Sequence, residues 1–596
     1  MPTYSVQNSA VSQILGDVRN DRIAIPELQR PFVWNSVKVR DLMDSLYKGY
    51  PVGFLITWQS VGAKLKGGEI AKHQQILIDG QQRVTALRAA VAGLPVVDKS
   101  YKKKRIVIAF NPLTEEFATK TAFIERDPQW ISDISELFSA TSTFSFFNEY
   151  FRKNPKADTE AVERNLNALR NIENAPIGII NLNDDLDVET VSEIFIRINA
   201  KGVALSNADF AMSKIATYGD RGRNIRKLID YFCHLAVAPH VYDDIAHNDP
   251  EFSSTEYFTA ISWLHNDSED LFDPEYGDII RIAGLAGFGR GKAASIVSAL
   301  SGRDPDTRKV DEDLIPLAYD TLESTLLQIV NKYNFENFLL AIKSAGYIAP
   351  RMITSKNALN FAYALYIRLR RDNSLTDGQR KSVVRRWFVM SMLTGRNSGS
   401  FETAWELDLR RIDSLGAAEY LAQIEKGELG EDFWQVQLPA SFETTSPNSP
   451  FFQGFVASQI YRRYRGFLSR SITVASMHEQ SGDIHHIVPK DFLVKNGFPD
   501  RRDYNQVANL VIAETPINIS ISNKPPRDYM GIVQNQVSTG ELELGEIVDE
   551  KDVKTNLFEN AIPANLNEVD AANYLDFLAD RRSLMAEAIR SYYYDL

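Results

Sequence analysis

Two adjacent histidines, His485 and His486, lie in the stretch DIHHIVPK of a chain that spends only eight histidines on 596 residues. An imidazole, with an unperturbed pKa of about 6.5, can take a proton from water near neutral pH. Asn509 follows His486 by 23 residues, Asn518 lies nine positions beyond it, and Lys524 comes shortly after. Hydrolysis of a phosphodiester needs a base for the water and a cation for the leaving oxygen. A hard divalent ion held by few protein ligands and several waters meets the second need. Asparagine and histidine are neutral ligands, so they leave the ion's charge for the phosphate. His486 is therefore the expected base, and His485 and Asn518 the expected ligands of Mg²⁺, Mn²⁺ or another divalent ion. Asn509 fixes either the loop or the ring of the base, and Lys524 is placed to meet a phosphate oxygen.

A second set occupies QQILIDGQQRVTALRAAVAG. Here Asp79, Gly80, Gln81, Gln82 and Arg83 link a strand pattern to a helix pattern. Gly80 permits a tight turn and a close ligand approach. The first helical turn presents N–H groups that favour phosphate, and Arg83 adds a charged fork. Asp79 can cap the helix or help to position a metal or a ribose. Gln29 and Arg30 precede the aromatics Phe32 and Trp34, which are expected in the core. Arg197, Asn199 and Gly202 share one turn of EIFIRINAKGVALSNADF.

These residues need elements to hold them. Short strand-like runs (VGFLITW, QQILID, RIVIAF, APIGIINL) mixed with helical patterns predict an α/β domain over 1–215. Three- and four-residue apolar spacing in ALNFAYALYIRLRR and GQRKSVVRRWFVMSMLT predicts a helical region over 216–440, and LPASFETTSPNSP (438–450) is the best linker. Over 441–596 the pattern predicts a Tyr/Arg-rich helix (SQIYRRYRGFLSR), the histidine segment and a closing helix (YLDFLADRRSLMAEAIRSYYY). One strand ending in the histidines, a second carrying Asn509 and a following element returning Asn518 is the order of a ββα-metal site. Adjacent residues of a regular strand face opposite ways, so both histidines can serve one phosphate only where the strand ends or bulges. Pro489 fits such an end.

Composition narrows the classes. A net charge of −12 argues against a protein that coats nucleic acid by bulk attraction. From Arg351 to Arg411, however, twelve Lys and Arg stand against five Asp and Glu, a net of +7. That segment is a candidate DNA-binding face, with Arg385 and Arg386 as its test. The single cysteine, Cys233, excludes a disulfide framework and is expected to be a buried small hydrophobe. No basic region precedes an apolar run at the N-terminus, and no apolar stretch approaches the ~18 to 20 residues of a membrane span, which predicts a cytoplasmic protein with no membrane partner.

The His-His-x-x-Pro element, Asn509-Leu510 and the tail SISNK, with Asn523 and Lys524, resemble the HNH nuclease superfamily in the form found at the C-terminus of GmrSD-like proteins. This resemblance spans about 450–596, and Ala508 before Asn509 is a mild departure from the pattern. DGQQR, with the Gln29-Arg30 and Arg197–Gly202 segments, resembles the GmrS-type N-terminal domain, related to the ParB/sulfiredoxin-like fold, over 1–215. The resemblance implies binding and hydrolysis of a nucleoside triphosphate, GTP or ATP, by Asp79, Gly80, Gln81, Gln82 and Arg83, with Arg30 and Asn199 as helpers. Both ends together resemble type IV, modification-dependent restriction enzymes. That implies a defence endonuclease acting on modified phage DNA under nucleotide control, with a homodimer as an option. Within that BrxU/SspE-like resemblance, a phosphorothioate-sensing, SspE-like nuclease and NTPase remains open, as does an NTP-binding regulatory DNA-binding protein with an inactive HNH site. The expected fold class is multidomain α+β and helix-rich: an α/β ParB/sulfiredoxin-like domain, a central helical region and a ββα-metal (HNH) domain.

Overall fold

The computed structural model describes residues 3–20, 22–24, 34–59, 75–97, 103–140, 142–183, 186, 190, 194, 207–216, 218–304, 307, 309–371, 375–479 and 483–596. The protein is helix-rich α+β with a small mixed sheet. Packing divides it into two compact units: Met1–Ser268, Pro274–Ile280 and Ala293–Leu327 form the first, and Glu269–Asp273, Arg281–Lys292 and Gln328–Leu596 the second. This division is coarser than the three expected domains and runs through the helical region. Among the described residues, no helix is long and apolar enough to cross a membrane.

The first unit is built around strands β1 (Tyr4–Ala10), β2 (Ile23–Ala24), β3 (Leu55–Gln59) and β4 (Gln75–Asp79). After the short pairs β5 (Val96–Val97) with β6 (Lys103–Lys104) and β7 (Ile108–Asn111) with β8 (Glu116–Thr119), β9 (Pro176–Leu182) returns to complete the main sheet in the order β1-β9-β3-β4-β2. Pairs β1–β9 and β3–β4 are antiparallel, whereas β3–β9 and β2–β4 are parallel. All four strand-like runs named above contain strands. Three helices cover this core: α1 (Val11–Arg19), α2 (Ser36–Tyr47) and α3 (Gln81–Ala90). In α2, Val39, Leu42, Met43 and Leu46 are buried, the i, i+3, i+4, i+7 stripe of an amphipathic helix, and Asn35 caps the first turn by accepting from Lys38 N at 2.9 Å. Trp34 packs against this core as expected, while Phe32 lies outside the described residues.

The helical reading of the middle of the chain holds. Lys356–Leu369 is a central helix, with Ala358 through Ile367 all buried, and Asp377–Thr394 packs beside it behind a capping box formed by Thr376 and Gln379. Three expectations need correction. Cys233, in helix Gly219–Val237, is half-buried rather than fully buried. The helix expected through SQIYRRYRGFLSR ends at Tyr461, because Arg463 and Leu468 take positive φ and Arg465 turns to pair with Asp552 and Glu559. The stretch 438–450 is no free linker: Leu438 and Phe442 are fully buried, and the Thr444 carbonyl accepts from Val507 N at 2.9 Å.

Candidate active site

The histidines sit on β10 (Asp483–His486), which pairs antiparallel with β11 (Leu510–Ala513) so that His485 faces Val511 and His486 faces Leu510. Helix Thr515–Ile521 follows directly and packs against β10. The chain thus runs strand, strand, helix, and β10 ends at His486, as the expected use of both histidines requires. His485 is 7% exposed and His486 half-buried, in keeping with the alternation of a strand. Asn518 lies on the helix packed against the histidine strand and is half-buried.

His486 Nε2 lies 3.1 Å from Asn505 Oδ1, and the Asn505 amide nitrogen is turned to the Thr445 carbonyl at 3.4 Å. With the amide oriented this way, the imidazole donates from Nε2 and keeps its lone pair on Nδ1. Burial holds the His486 pKa below its usual value; the Asn505 bond opposes that shift and the Lys490 charge adds to it. Burial and the Lys490 charge thus favour the neutral ring, the state a general base needs. His478, third of the clustered histidines, belongs elsewhere: its Nε2 accepts from Arg351 Nε at 2.9 Å.

Asn509 is fully buried and spends its side chain on backbone. Its Oδ1 accepts from Val488 N at 2.9 Å, and its Nδ2 donates to Val488 O at 3.0 Å and Tyr504 O at 2.9 Å. Of its two expected roles, the geometry is that of the loop-fixing one. The Lys524 ammonium, expected at a phosphate, instead donates to the Ser520 carbonyl at 2.8 Å, at the C-terminal end of the helix where a cation is favoured.

Sequence reasoning missed the frame around this loop. Tyr529 donates to Ile487 O at 3.0 Å, Tyr574 to Asp503 O at 2.9 Å and Arg581 Nη1 to Ala508 O at 2.6 Å. Arg581 is fully buried, and burial brings its pKa down to about 9. A signal for it exists: Arg581 falls four residues after Phe577 and four before Met585, on the buried stripe of helix Tyr574–Asp595. Asn505 carries no comparable signal.

The second candidate site lies in the first unit. β4 ends at Asp79, Gly80 takes φ +96°, and α3 starts at Gln81. A Cβ on Gly80 would stand 2.3 Å from Leu55 Cδ2, so both conformation and space demand glycine. The β3–β4 register shifts between Ile56 and Thr57, a bulge next to Asp79 of the kind that re-aims side chains. Arg83 Nη1 donates to Phe54 O at 2.5 Å, and Nη2 lies 3.6 Å from Asp79 Oδ2. Gly53, beside the guanidinium, takes φ +87°, and this conformation rather than lack of space is what favours glycine there. Gln81 and Gln82 are half-buried in the first turn, Gln81 Nε2 reaching Leu77 O at 3.4 Å. Asp79, Gly80, Gln81, Gln82 and Arg83 are thus brought together. Arg30, Asn199, Gln29, Arg197 and Gly202 lie outside the described residues.

Among the described residues, no group of three His, Cys, Asp or Glu could hold a metal ion. The donor set of His485 and Asn518, one imidazole and one amide, fits in chemical type an ion that keeps most of its water. No curated protein matches the chain. Residues 11–216 match the family model described as GmrSD restriction endonuclease, N-terminal domain, a stretch that includes DGQQR, and the first unit is in this respect similar to the N-terminal part of those restriction enzymes.

Proposed function

We propose that the chain is a metal-dependent DNA endonuclease of a defence system, with an HNH-type site at 483–524 and its cutting governed by a nucleoside triphosphate bound at Asp79–Arg83. The observation that carries this reading is His486: a half-buried imidazole at a strand end, its Nε2 engaged by Asn505 Oδ1, which leaves the Nδ1 lone pair for a proton. In the proposed reaction a water oxygen attacks the phosphorus, His486 Nδ1 takes the proton and the 3′ oxygen leaves. His485 and Asn518 would hold a divalent ion, which when bound supplies positive charge to the phosphate and the leaving oxygen. Asn509 holds the 487–488 backbone behind the base.

The match of 11–216 to a restriction-enzyme domain supports the defence role and DNA as substrate. The anion-favouring turn at Gly80 and Arg83 supports a phosphate-bearing regulator, and modified phage DNA is the substrate class proposed. The test is nicking of supercoiled plasmid by the purified full chain with Mg²⁺ or Mn²⁺, with and without GTP or ATP, on unmodified, hydroxymethylated, glucosylated and phosphorothioated DNA. Cleavage that needs the metal and His486 and responds to nucleotide supports the reading. Absence of metal-dependent cleavage on every substrate overturns it.

A further inference from the structure

The basic stretch Arg351–Arg411 does not act as one face. Arg386 is held by Glu425, Arg396 by Asp408 and Glu428, Lys381 by Asp377, and Arg385 donates to the backbone oxygen of Leu596 at 2.8 Å. These side chains are spent within the second unit, which corrects the expectation that Arg385 and Arg386 read DNA.

A cation held in another way stands beside the histidine strand. Lys490 opens the short helix Lys490–Lys495, four residues after His486, and is exposed. Among the described residues its ammonium pairs with no carboxylate and donates no hydrogen bond. What it does meet is aromatic: Lys490 Nζ lies 5.4 Å from the ring centroid of Tyr504, within reach of a cation–π contact. The same ring lies 6.3 Å, centroid to centroid, from the imidazole of His486. Lysine and histidine thus flank one tyrosine, and the ammonium is near enough for its charge to bear on the His486 ring.

Buried structure fixes this arrangement. Asn509 clamps the two segments that carry Lys490 and Tyr504, since it bonds both Val488 N and Val488 O and also donates to Tyr504 O. Asn505, next to Tyr504, takes His486 Nε2. A carboxylate would hold a lysine by neutralising it. An aromatic face instead orients the side chain and leaves its charge and three N–H donors for an anion. The anion that the proposed reaction brings beside His486 is the phosphate to be cut.

We infer that Lys490 is a catalytic residue of this site, its ammonium holding a non-bridging oxygen of the scissile phosphate. The inference rests on the endonuclease reading. In that step the bond from the water oxygen to phosphorus forms and the bond to the 3′ oxygen breaks. One water proton goes to His486 Nδ1, and the electron pair of the broken bond leaves on the 3′ oxygen, which takes a proton from solvent. Lys490 keeps its protons throughout, and its charge offsets the negative charge that grows on the phosphate oxygens.

Two measurements on the full chain test this role. For binding to a fluorescein-labelled duplex in EDTA, Lys490→Gln should reduce the slope of log K against log[salt] by roughly 0.9, the value of one phosphate contact. With Mg²⁺ and saturating plasmid, its single-turnover nicking rate should fall by about 100-fold. Lys490→Arg keeps the charge and should restore the slope and most of the rate. A folded Lys490→Gln protein with the wild-type slope overturns the inference, because no phosphate contact was lost. One with a smaller slope but the wild-type saturating rate overturns it too, because the lysine then meets a flanking phosphate. Both results leave the endonuclease reading standing, whereas a wild type that neither binds duplex nor nicks plasmid overturns both.

Discussion

Asn505 Oδ1 accepts from His486 Nε2 at 3.1 Å, and this one contact decides which ring nitrogen can act as a base. The asparagine belongs to the loop that Asn509, Tyr574 and Arg581 hold by its carbonyls, so the orientation of the imidazole is inherited from buried structure rather than from the strand that carries it.

His486→Ala should lower cleavage by about 100-fold or more, the usual worth of a general base, while duplex and nucleotide binding persist. Asn505→Ala should lower kcat by about 10- to 100-fold with little change in KM, because the ring remains but is no longer aligned. Single-turnover rates at saturating metal check both. Wild-type rates for Asn505→Ala would show that the contact is structural only.

Asn518→Ala should behave differently. Loss of one ligand weakens metal affinity, so activity should return in part at high Mg²⁺ or with Mn²⁺, a rescue not expected for His486→Ala. A metal titration of each variant separates the roles. His485→Ala is read by the same titration: a shifted metal midpoint marks a ligand, and an unchanged midpoint with a lower Tm marks a packing residue.

Much of this site was legible because its chemistry is written in contiguous residues. HHIVP and ANL mark the strand end and the buried asparagine, SISNK marks the end of the helix that follows, and DGQQR marks a strand–turn–helix whose glycine takes a positive φ. What was hidden depends on distant partners. Arg385 and Arg386 look like a basic face until Glu425 and the backbone of Leu596 are folded against them. Strand β1 was missed because YSVQNSA is an exposed edge with Tyr4 and Val6 facing solvent, so it shows no apolar alternation.

Asn509→Ala should cost about 2 to 3 kcal/mol of stability, since it strands the buried Val488 and Tyr504 backbone groups that Asn509 satisfies. Urea unfolding measures the loss. Cleavage by the folded fraction should fall too, as the backbone behind His486 loosens.

Gly80→Ala should destabilise the first unit by about 1 to 3 kcal/mol, because an L side chain there meets both a positive φ and Leu55. Arg83→Ala should instead leave the Tm near wild type and weaken nucleotide binding by about 1.5 to 3 kcal/mol, the value of a charge-assisted hydrogen bond. Calorimetry with GTP and ATP gives the second quantity, and unchanged affinity would remove Arg83 from the nucleotide site.

Stability should fall as pH drops from about 6.5 towards about 4. Burial, aided by the Arg351 charge, brings the His478 pKa down to about 4, so in this window the unfolded chain binds a proton that the folded chain refuses. Protonation would also break the bond that His478 Nε2 accepts from Arg351. Thermal melts across this range should slope less steeply for His478→Gln than for wild type.

Tyr574 and Arg581, which donate to the loop at 503–509, and Tyr529, which donates to Ile487 O beside the histidines, all come later in the chain than the groups they hold. On the ribosome, both histidines and both asparagines of the site are therefore made before the groups that hold them in register. Until Arg581 has been added and its helix docked, nothing fills the buried acceptor at Ala508, and the base has no fixed orientation. Completion of the proposed site is thus placed late in synthesis by the order of the polypeptide alone, and a chain abandoned before that point carries both histidines without the groups that orient them.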